Sequence, residues 1–206
     1  MELTWNEVLA ATNAKVHSGK LGSNAAIPKI TTDTRKIETG DLFIALRGEN
    51  FDGAEFAADA LQKGASAVLV GAPLSKSVEK ALKNAKGAVL TVSDTLAAYQ
   101  EIAHAWRMKF GVPVVAITGS NGKTTTKDLT AAVLSARGTV CRTAANYNNE
   151  VGLPLTLLGM TGGDVAAVVE IGMRGLGQIA ALAPVAAPSI GIVTNVCEVH
   201  MELLGS

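Results

Sequence analysis

The sequence is poor in cysteine and in aromatic residues. It has two cysteines, Cys141 and Cys197, and aromatic residues make up 4% of its 206 positions. Two distant cysteines provide neither a disulfide framework nor a four-ligand zinc site, so we interpret both as small reduced core residues of a cytosolic protein. Glycine is abundant, with 21 residues, so the composition favours an α/β protein over an aromatic-rich β-sandwich.

The sequence also lacks an excess of charge and a long apolar run. Lys and Arg number 18, Asp and Glu number 18, and the formal net charge is therefore 0. A generic nucleic-acid-binding protein needs a basic surplus to neutralise phosphates, so we expect no nucleic-acid partner. No apolar stretch approaches the roughly 18 residues of a membrane span, and no basic segment followed by an apolar one opens the chain. We expect neither membrane insertion nor a signal peptide, and hence a cytoplasmic location.

What the sequence does contain is a regular alternation of strand-like and helix-like segments. Hydrophobic residues make up 48% and charged residues 17%, which excludes a disordered chain, and the length suits one or two domains. Strands are predicted at 42–46, 67–70, 88–92, 114–118, 165–170 and 190–194. Helices are predicted at 53–63, 75–85, 94–110, 123–136, 150–158 and 176–182. This alternation indicates an α/β fold with parallel strands and right-handed crossovers.

A loop-like stretch at 83–87 suggests two domains, 1–86 and 87–206. The first is expected to be a small α/β domain and the second a parallel-sheet domain. The chain ends only a dozen residues after its last predicted strand, where a covering helix would ordinarily follow. We therefore expect the second domain to be incomplete.

The strongest functional signal is a glycine-rich loop between the strand at 114–118 and the helix that begins at Lys123. Its glycines let successive backbone N–H groups point at one anion, and the helix N-terminus adds partial positive charge. Lys123 can reach terminal phosphates, and the hydroxyl of Thr124 can bind Mg²⁺. The spacing is the shorter G-x-x-G-K-T form, with Ile117 at the place of the first glycine in the longer phosphate-loop motif. The alternative is a glycine-rich turn with an exposed lysine.

Two side chains near other strand ends are candidates for the same site. Glu170 ends the apolar strand at 165–170, and His200 lies six residues after Thr194. Because open α/β sheets bind ligands at the carboxyl ends of their strands, Glu170 is a candidate Mg²⁺ ligand. Capping of a nearby helix is its alternative role. His200 would be unremarkable by itself, but its position predicts that it lies on the same edge.

A third polar cluster precedes the helix predicted at 150–158. Asn146, Asn148 and Asn149 lie within four positions. Their amides could satisfy turns and helix caps, or they could bind a polar substrate.

Taken together, these motifs resemble the Mur ligase family. In chain order they are Thr118-Gly-Ser-Asn-Gly-Lys-Thr-Thr125, Asn146-x-Asn-Asn-x-x-Gly-x-Pro154, Glu170-Ile-Gly-Met-Arg174 and Thr194-Asn-Val-x-x-x-His200. The N-terminal segments Thr31–Arg35, Gly40–Phe43 and Gly48–Gly53 resemble the branch that joins D-alanyl-D-alanine to UDP-N-acetylmuramoyl-tripeptide. The resemblance extends over essentially the whole chain.

Mur ligases are ATP-dependent enzymes that form amide bonds in peptidoglycan synthesis, through an acyl phosphate that an amine then attacks. The resemblance implies that the N-terminal domain binds the UDP end of the substrate near Thr34 and Arg35. It implies that the second domain binds ATP through Gly119, Ser120, Asn121, Gly122, Lys123, Thr124 and Thr125. It also implies that Thr124, Glu170 and His200 bind Mg²⁺, that Lys123, Glu170 and His200 are catalytic, and that Asn146 and Asn149 line the junction with the substrate.

The resemblance also implies a bacterial cytoplasmic enzyme that is a monomer at full length. The family has three domains, so the C-terminal domain that brings D-alanyl-D-alanine is expected to be absent and this chain alone to be inactive. Two alternatives stay open. The first is another ligase of the superfamily, of the tripeptide-forming or folylpolyglutamate type, although Asp33-Thr-Arg35 and Gly40–Phe43 argue against the folate branch. The second is a binding module without catalysis. A phosphate-loop kinase is a more distant reading, because the first glycine of the longer motif is missing.

Overall fold

The computed structural model describes residues 2–22, 24–48 and 51–198. The chain divides into two compact units between Ile102 and Ala103. In the described part of the chain no helix combines the length and the apolar character that a membrane crossing requires.

The first unit contains one main mixed sheet and one small two-stranded sheet. Its elements are β1 (Leu3–Thr4), α1 (Trp5–Thr12), β2 (Lys15–Ser18), β3 (Ala26–Ile27), β4 (Ile30–Thr31), β5 (Leu42–Ile44), α2 (Ala57–Gln62), β6 (Ala67–Gly71), α3 (Lys76–Leu82), β7 (Ala88–Val92) and α4 (Thr95–Arg107), which continues into the second unit. The main sheet has the order β2-β7-β6-β5-β4, with β2 antiparallel to β7 and the other pairs parallel. Strands β1 and β3 pair antiparallel in the small sheet.

The parallel strands form where the sequence has uninterrupted apolar runs. Ala67–Val70 and Ala88–Leu90 are fully or almost fully buried, as expected for strands whose two faces are both covered. Helix α2 packs its Ala57, Ala60 and Leu61 against this sheet. The core of the first unit therefore includes a layer of mainly aliphatic side chains between α2 and the sheet.

The predicted domain division near residue 86 is placed too early in the chain. Strand β7 pairs in parallel with β6 and lies between β6 and β2, so it belongs to the interior of the first sheet. The loop at 83–87 connects α3 to β7 within the first unit, and the division comes later, within α4.

The second unit is built on a four-stranded parallel sheet. Its elements are β8 (Val114–Thr118), α5 (Lys123–Leu134), β9 (Thr139–Arg142), α6 (Gly152–Leu158), β10 (Asp164–Glu170), α7 (Gln178–Ala186) and β11 (Ile190–Val193). The strand order is β11-β8-β10-β9, and all three pairs are parallel. Ile117 and Val168 on the two central strands pack with Ala131 of α5.

Two sequence features explain how helices of this unit begin and end. Pro154 is the third residue of α6, in the first turn, where a helix does not need the missing N–H group. Arg107 is 7% exposed and donates from Nε to the carbonyl of Ala186, at 3.1 Å, and from a terminal nitrogen to that of Phe110, at 2.7 Å. Its guanidinium therefore satisfies the carbonyl of the last residue of α7.

Candidate functional site

In the second unit, the chain leaves the adjacent strands β8 and β10 toward opposite edges of the sheet. The connection through α5 leads from β8 to β9 on one side, whereas the connection through α7 leads from β10 to β11 on the other. Open α/β sheets bind ligands outside the carboxyl ends of strands at such a point. The glycine-rich loop follows β8 directly, so the topology puts it at this position.

The loop needs glycine at two places. Gly119 has φ +134°, and an added Cβ would overlap Thr194 Oγ1 and lie 2.9 Å from the carbonyl oxygen of Asn195. Gly122 has φ +78°, and it precedes the first residue of α5. The first N–H groups of a helix have no acceptor within the helix, so this turn presents backbone donors to an anion.

The segment that follows β11 holds the loop in place. The N–H of Ser120 donates to the carbonyl of Asn195, at 3.0 Å, and the N–H of Asn121 donates to Asn195 Oδ1, at 2.9 Å. Thr194 Oγ1 donates to the carbonyl of Asn121, at 2.6 Å, and the N–H of Cys197 donates to Ser120 Oγ, at 2.8 Å. The loop conformation is thus fixed by the neighbouring strand end.

Lys123 turns its ammonium back into the loop. Its Nζ donates to the carbonyls of Gly119, at 2.6 Å, and Ser120, at 3.1 Å. These are neutral acceptors, so a phosphate would offer the ammonium a stronger, charge-assisted partner.

Glu170 lies at the end of β10, beside the first turn of α5. It is 3% exposed, and its Oε2 accepts a hydrogen bond from Thr124 Oγ1 at 2.9 Å. Its Oε1 accepts one from Asn148 Nδ2 at 2.7 Å. Its own N–H donates to Thr143 Oγ1 at 2.9 Å. The structure therefore brings the predicted pair Thr124 and Glu170 together.

Asn148 is a site residue that the sequence reasoning did not single out. The same cluster supplied the predictions Asn146 and Asn149, which are both exposed. Asn149 Oδ1 accepts the N–H of Gly152 at 2.8 Å and that of Val151 at 3.3 Å, so it supports the start of α6. Spacing alone carries no signal of which amide in such a cluster points toward the neighbouring carboxylate.

The two side-chain oxygens would suit a magnesium ion that also binds phosphate. The hydroxyl of Thr124 and the carboxylate of Glu170 are hard donors, and Mg²⁺ is commonly held by one or two carboxylates together with phosphates. Within the described ranges 2–22, 24–48 and 51–198, no group of three or more His, Cys, Asp or Glu could form a metal centre from protein ligands alone. His200, which was predicted as a further ligand, lies outside the described residues.

A cavity of about 130 Å³ opens beside the loop. Ser120 and Lys123 contribute to its wall from the loop, Met173 and Ile179 from the region after β10, and Asn195 from the segment after β11. The cavity therefore joins a cationic wall to an apolar one.

The predicted substrate residues Thr34 and Arg35 belong to the first unit, on a 3-10 turn at Thr34–Lys36. Arg35 forms a two-point pair with Asp33, with Nε 2.8 Å from Oδ1 and a terminal nitrogen 2.9 Å from Oδ2. Hydrogen bonds from the Arg35 side chain and backbone lower the pKa of Asp33 from 3.8 to about 2. Because the Arg35 side chain is 85% exposed, it remains accessible to a ligand.

Comparison with known proteins gives matches in both units. The model described as "Mur ligase family, catalytic domain" matches residues 26–107, and the Mur ligase middle domain matches residues 117–206. The chain is 51% identical over 186 residues to the UDP-N-acetylmuramoyl-tripeptide–D-alanyl-D-alanine ligase of a Synechocystis strain, which covers 90% of this chain and 40% of that protein.

Solved structures of MurF ligases also match the chain. MurF from Acinetobacter baumannii superposes with a TM-score of 0.86 at 30% identity, over 96% of this chain and 42% of that one. The MurF ligase from Thermotoga maritima, solved in complex with ADP, superposes with a TM-score of 0.74 at 30% identity, over 85% of this chain and 39% of that one. The chain thus spans about two fifths of the length of the relatives it matches.

Proposed function

The chain belongs to the Mur ligase family, and we propose that it supplies the UDP-substrate unit and part of the ATP-binding unit of a peptidoglycan ligase. The proposed reaction joins D-alanyl-D-alanine to UDP-N-acetylmuramoyl-tripeptide in the bacterial cytoplasm. The Synechocystis relative is named as the ligase for this reaction. Both units of this chain match its solved relative from Acinetobacter baumannii. The observation that carries the proposal is the 2.9 Å hydrogen bond between Thr124 and Glu170 beside a glycine-rich loop.

The residues of the second unit suit transfer of a phosphoryl group. In the proposed reaction, a carboxylate oxygen of the tripeptide attacks the γ-phosphorus of ATP, and the bond to the ADP oxygen breaks. The amine of D-alanyl-D-alanine then attacks the acyl carbon, phosphate leaves, and the amine loses its proton. Negative charge spreads over the phosphoryl oxygens in the first step, so donors that are already in place lower its barrier.

Each proposed role rests on one of these residues. Lys123 would exchange its loop carbonyls for phosphate oxygens, and the N–H groups at the start of α5 would bind the same anion. Thr124 and Glu170 would hold Mg²⁺, which neutralises phosphate charge when it is bound. Within the first unit, the exposed guanidinium of Arg35 would bind the diphosphate of the UDP substrate.

The decisive test compares ATP binding by the chain and ligation by the full-length protein. We expect the chain to bind ATP in the presence of Mg²⁺ and to lose most of that affinity on Lys123→Ala. In the full-length protein the same substitution should lower kcat by about 10²–10³-fold, the usual cost of one preorganised donor. Lys109→Ala is the matched control, because it removes an equal charge from the segment that precedes β8, at the opposite end of that strand.

Substrate identity needs its own measurement. We expect UDP-N-acetylmuramoyl-tripeptide to bind the chain, and a UDP-linked dipeptide to be a poor substrate for the full-length protein. Near-full ligation by the Lys123→Ala protein would refute the loop assignment. Preference for the dipeptide would instead indicate the tripeptide-forming branch of the family.

A further inference from the structure

We propose that Asn148 determines which divalent cation the site accepts, by binding one oxygen of Glu170 and leaving the other for the cation. The inference rests on the proposed magnesium and nucleotide role of this site. Asn148 is a positioning residue, because it acts through Glu170.

The two carboxylate oxygens of Glu170 have different partners. Oε1 accepts from the amide of Asn148 at 2.7 Å, and Oε2 accepts from the hydroxyl of Thr124 at 2.9 Å. Only Oε2 therefore faces the second proposed ligand, Thr124. Because Glu170 is only 3% exposed, water competes poorly with these two partners for the carboxylate oxygens.

Asn148 is itself held in position by backbone contacts. Its N–H donates to the carbonyl of Asn146 at 2.8 Å, and its own carbonyl accepts the N–H of Gly172 at 2.8 Å. A Cβ on Gly172 would lie 3.1 Å from both Cγ and Oδ1 of Asn148, so the amide group packs closely on the chain just after β10. The same chain segment thus carries the carboxylate and fixes its amide partner.

The chemical consequence concerns how many oxygens Glu170 can give to a cation. Ca²⁺ binds six to eight oxygens and often takes both oxygens of a carboxylate, whereas Mg²⁺ takes six at shorter distance and keeps several waters. A carboxylate with one oxygen bound to an amide offers a single oxygen. Asn148 therefore favours Mg²⁺ over Ca²⁺ at this site.

The test measures the affinity of ATP for the chain by titration calorimetry in Mg²⁺, in Ca²⁺ and in EDTA. We expect the unmodified chain to bind ATP more tightly with Mg²⁺ than with Ca²⁺. Asn148→Ala should lower the affinity measured in Mg²⁺ by about 10–100-fold, the usual effect of removing a group that orients a metal ligand. The affinity measured in Ca²⁺ should fall less, because both oxygens of Glu170 become available to that cation, and the ratio should therefore fall. Asn84→Ala is the matched control, because it removes an exposed amide that belongs to the first unit and should leave the ratio unchanged.

A second variant distinguishes loss of the hydrogen bond to Glu170 from unfolding of the chain. Asn148→Asp keeps the shape of the side chain but cannot donate to a carboxylate when ionised, so it should also lower the Mg²⁺/Ca²⁺ ratio. Circular dichroism checks the fold of each variant. An unchanged ratio in a folded variant, an equal loss of affinity with both cations, or unfolding of both variants would overturn the inference. Failure of the unmodified chain to bind ATP with any cation would instead refute the proposed function, and the inference with it.

Discussion

Replacing either Gly119 or Gly122 of the glycine-rich loop by alanine provides a quantitative test of the loop geometry. Both Gly119 and Gly122 have positive φ angles, +134° and +78°, so alanine is strained at each. The difference is in the space around them. A Cβ at Gly119 would overlap Thr194 Oγ1 and lie 3.0 Å from the Thr194 nitrogen, whereas nothing lies within 4 Å of a Cβ at Gly122.

These contacts set the expected magnitudes. Gly122→Ala should cost only the backbone strain of a left-handed residue, about 1 kcal/mol. Gly119→Ala should add overpacking against the end of β11 to a strain of similar or larger size, for a total of about 2–5 kcal/mol. We therefore expect Gly119→Ala to lower the free energy of unfolding of the second unit clearly more than Gly122→Ala does.

The chain allows this unit to be observed separately. Its two tryptophans are divided between the units, Trp5 in the first and Trp106 in the second, and both are buried. Urea unfolding monitored by fluorescence in a Trp5→Phe background therefore reports on the second unit. Equal destabilisation by the two alanine variants, within about 0.5 kcal/mol, would refute the close approach of the loop to β11.

Three further measurements test other parts of the structure. Arg107→Met should destabilise the second unit by about 2–4 kcal/mol, measured by urea unfolding, because it removes the donor of the buried Ala186 carbonyl in α7 and of the Phe110 carbonyl. The pKa of Asp33 should be about 2 by NMR titration and should rise toward 3.8 in Arg35→Ala. The stabilisation from the ionised Asp33 carboxylate is complete above pH 3.8 and is lost as the pH falls through 2. Cys197 is exposed and is not the core residue that the sequence predicted, whereas burial, and then Asp164, raise the pKa of Cys141 to about 12. A thiol reagent should therefore label Cys197 in the native chain and Cys141 only after unfolding.

The parallel sheets were predictable because apolar runs and strand ends are local features. Val114–Thr118 matched its prediction, and Glu170 was found as the carboxylate at the end of such a run. By contrast, β9 (Thr139–Arg142) was missed, because its residues are only partly buried and form no continuous apolar run. It is a strand because β10 supplies its hydrogen-bonding partner.

The domain division and Asn148 were missed for a related reason. The domain division and the role of Asn148 both depend on contacts between segments that are distant in the sequence. The sequence gives only a weak signal of such contacts. The polar loop at 83–87 resembles a linker, yet the strand after it pairs with β6. Among three nearby amides, only the packing against Gly172 selects Asn148 as the partner of Glu170.

The hydrogen bonds of the site imply that the proposed nucleotide and cation would bind by exchange of partners. The ammonium of Lys123 is bound to loop carbonyls, and the hydroxyl of Thr124 is bound to Glu170. A phosphate must displace the first contact, and a cation must displace the second. At Lys123 the gain comes from replacing neutral carbonyl acceptors with a charged phosphate, and at Glu170 it comes from replacing a neutral hydroxyl donor with a cation. A phosphate and a cation achieve this best together, because each offsets the charge of the other. This reasoning requires ATP affinity to depend strongly on Mg²⁺, and Lys123→Ala to weaken that dependence less than Glu170→Gln does.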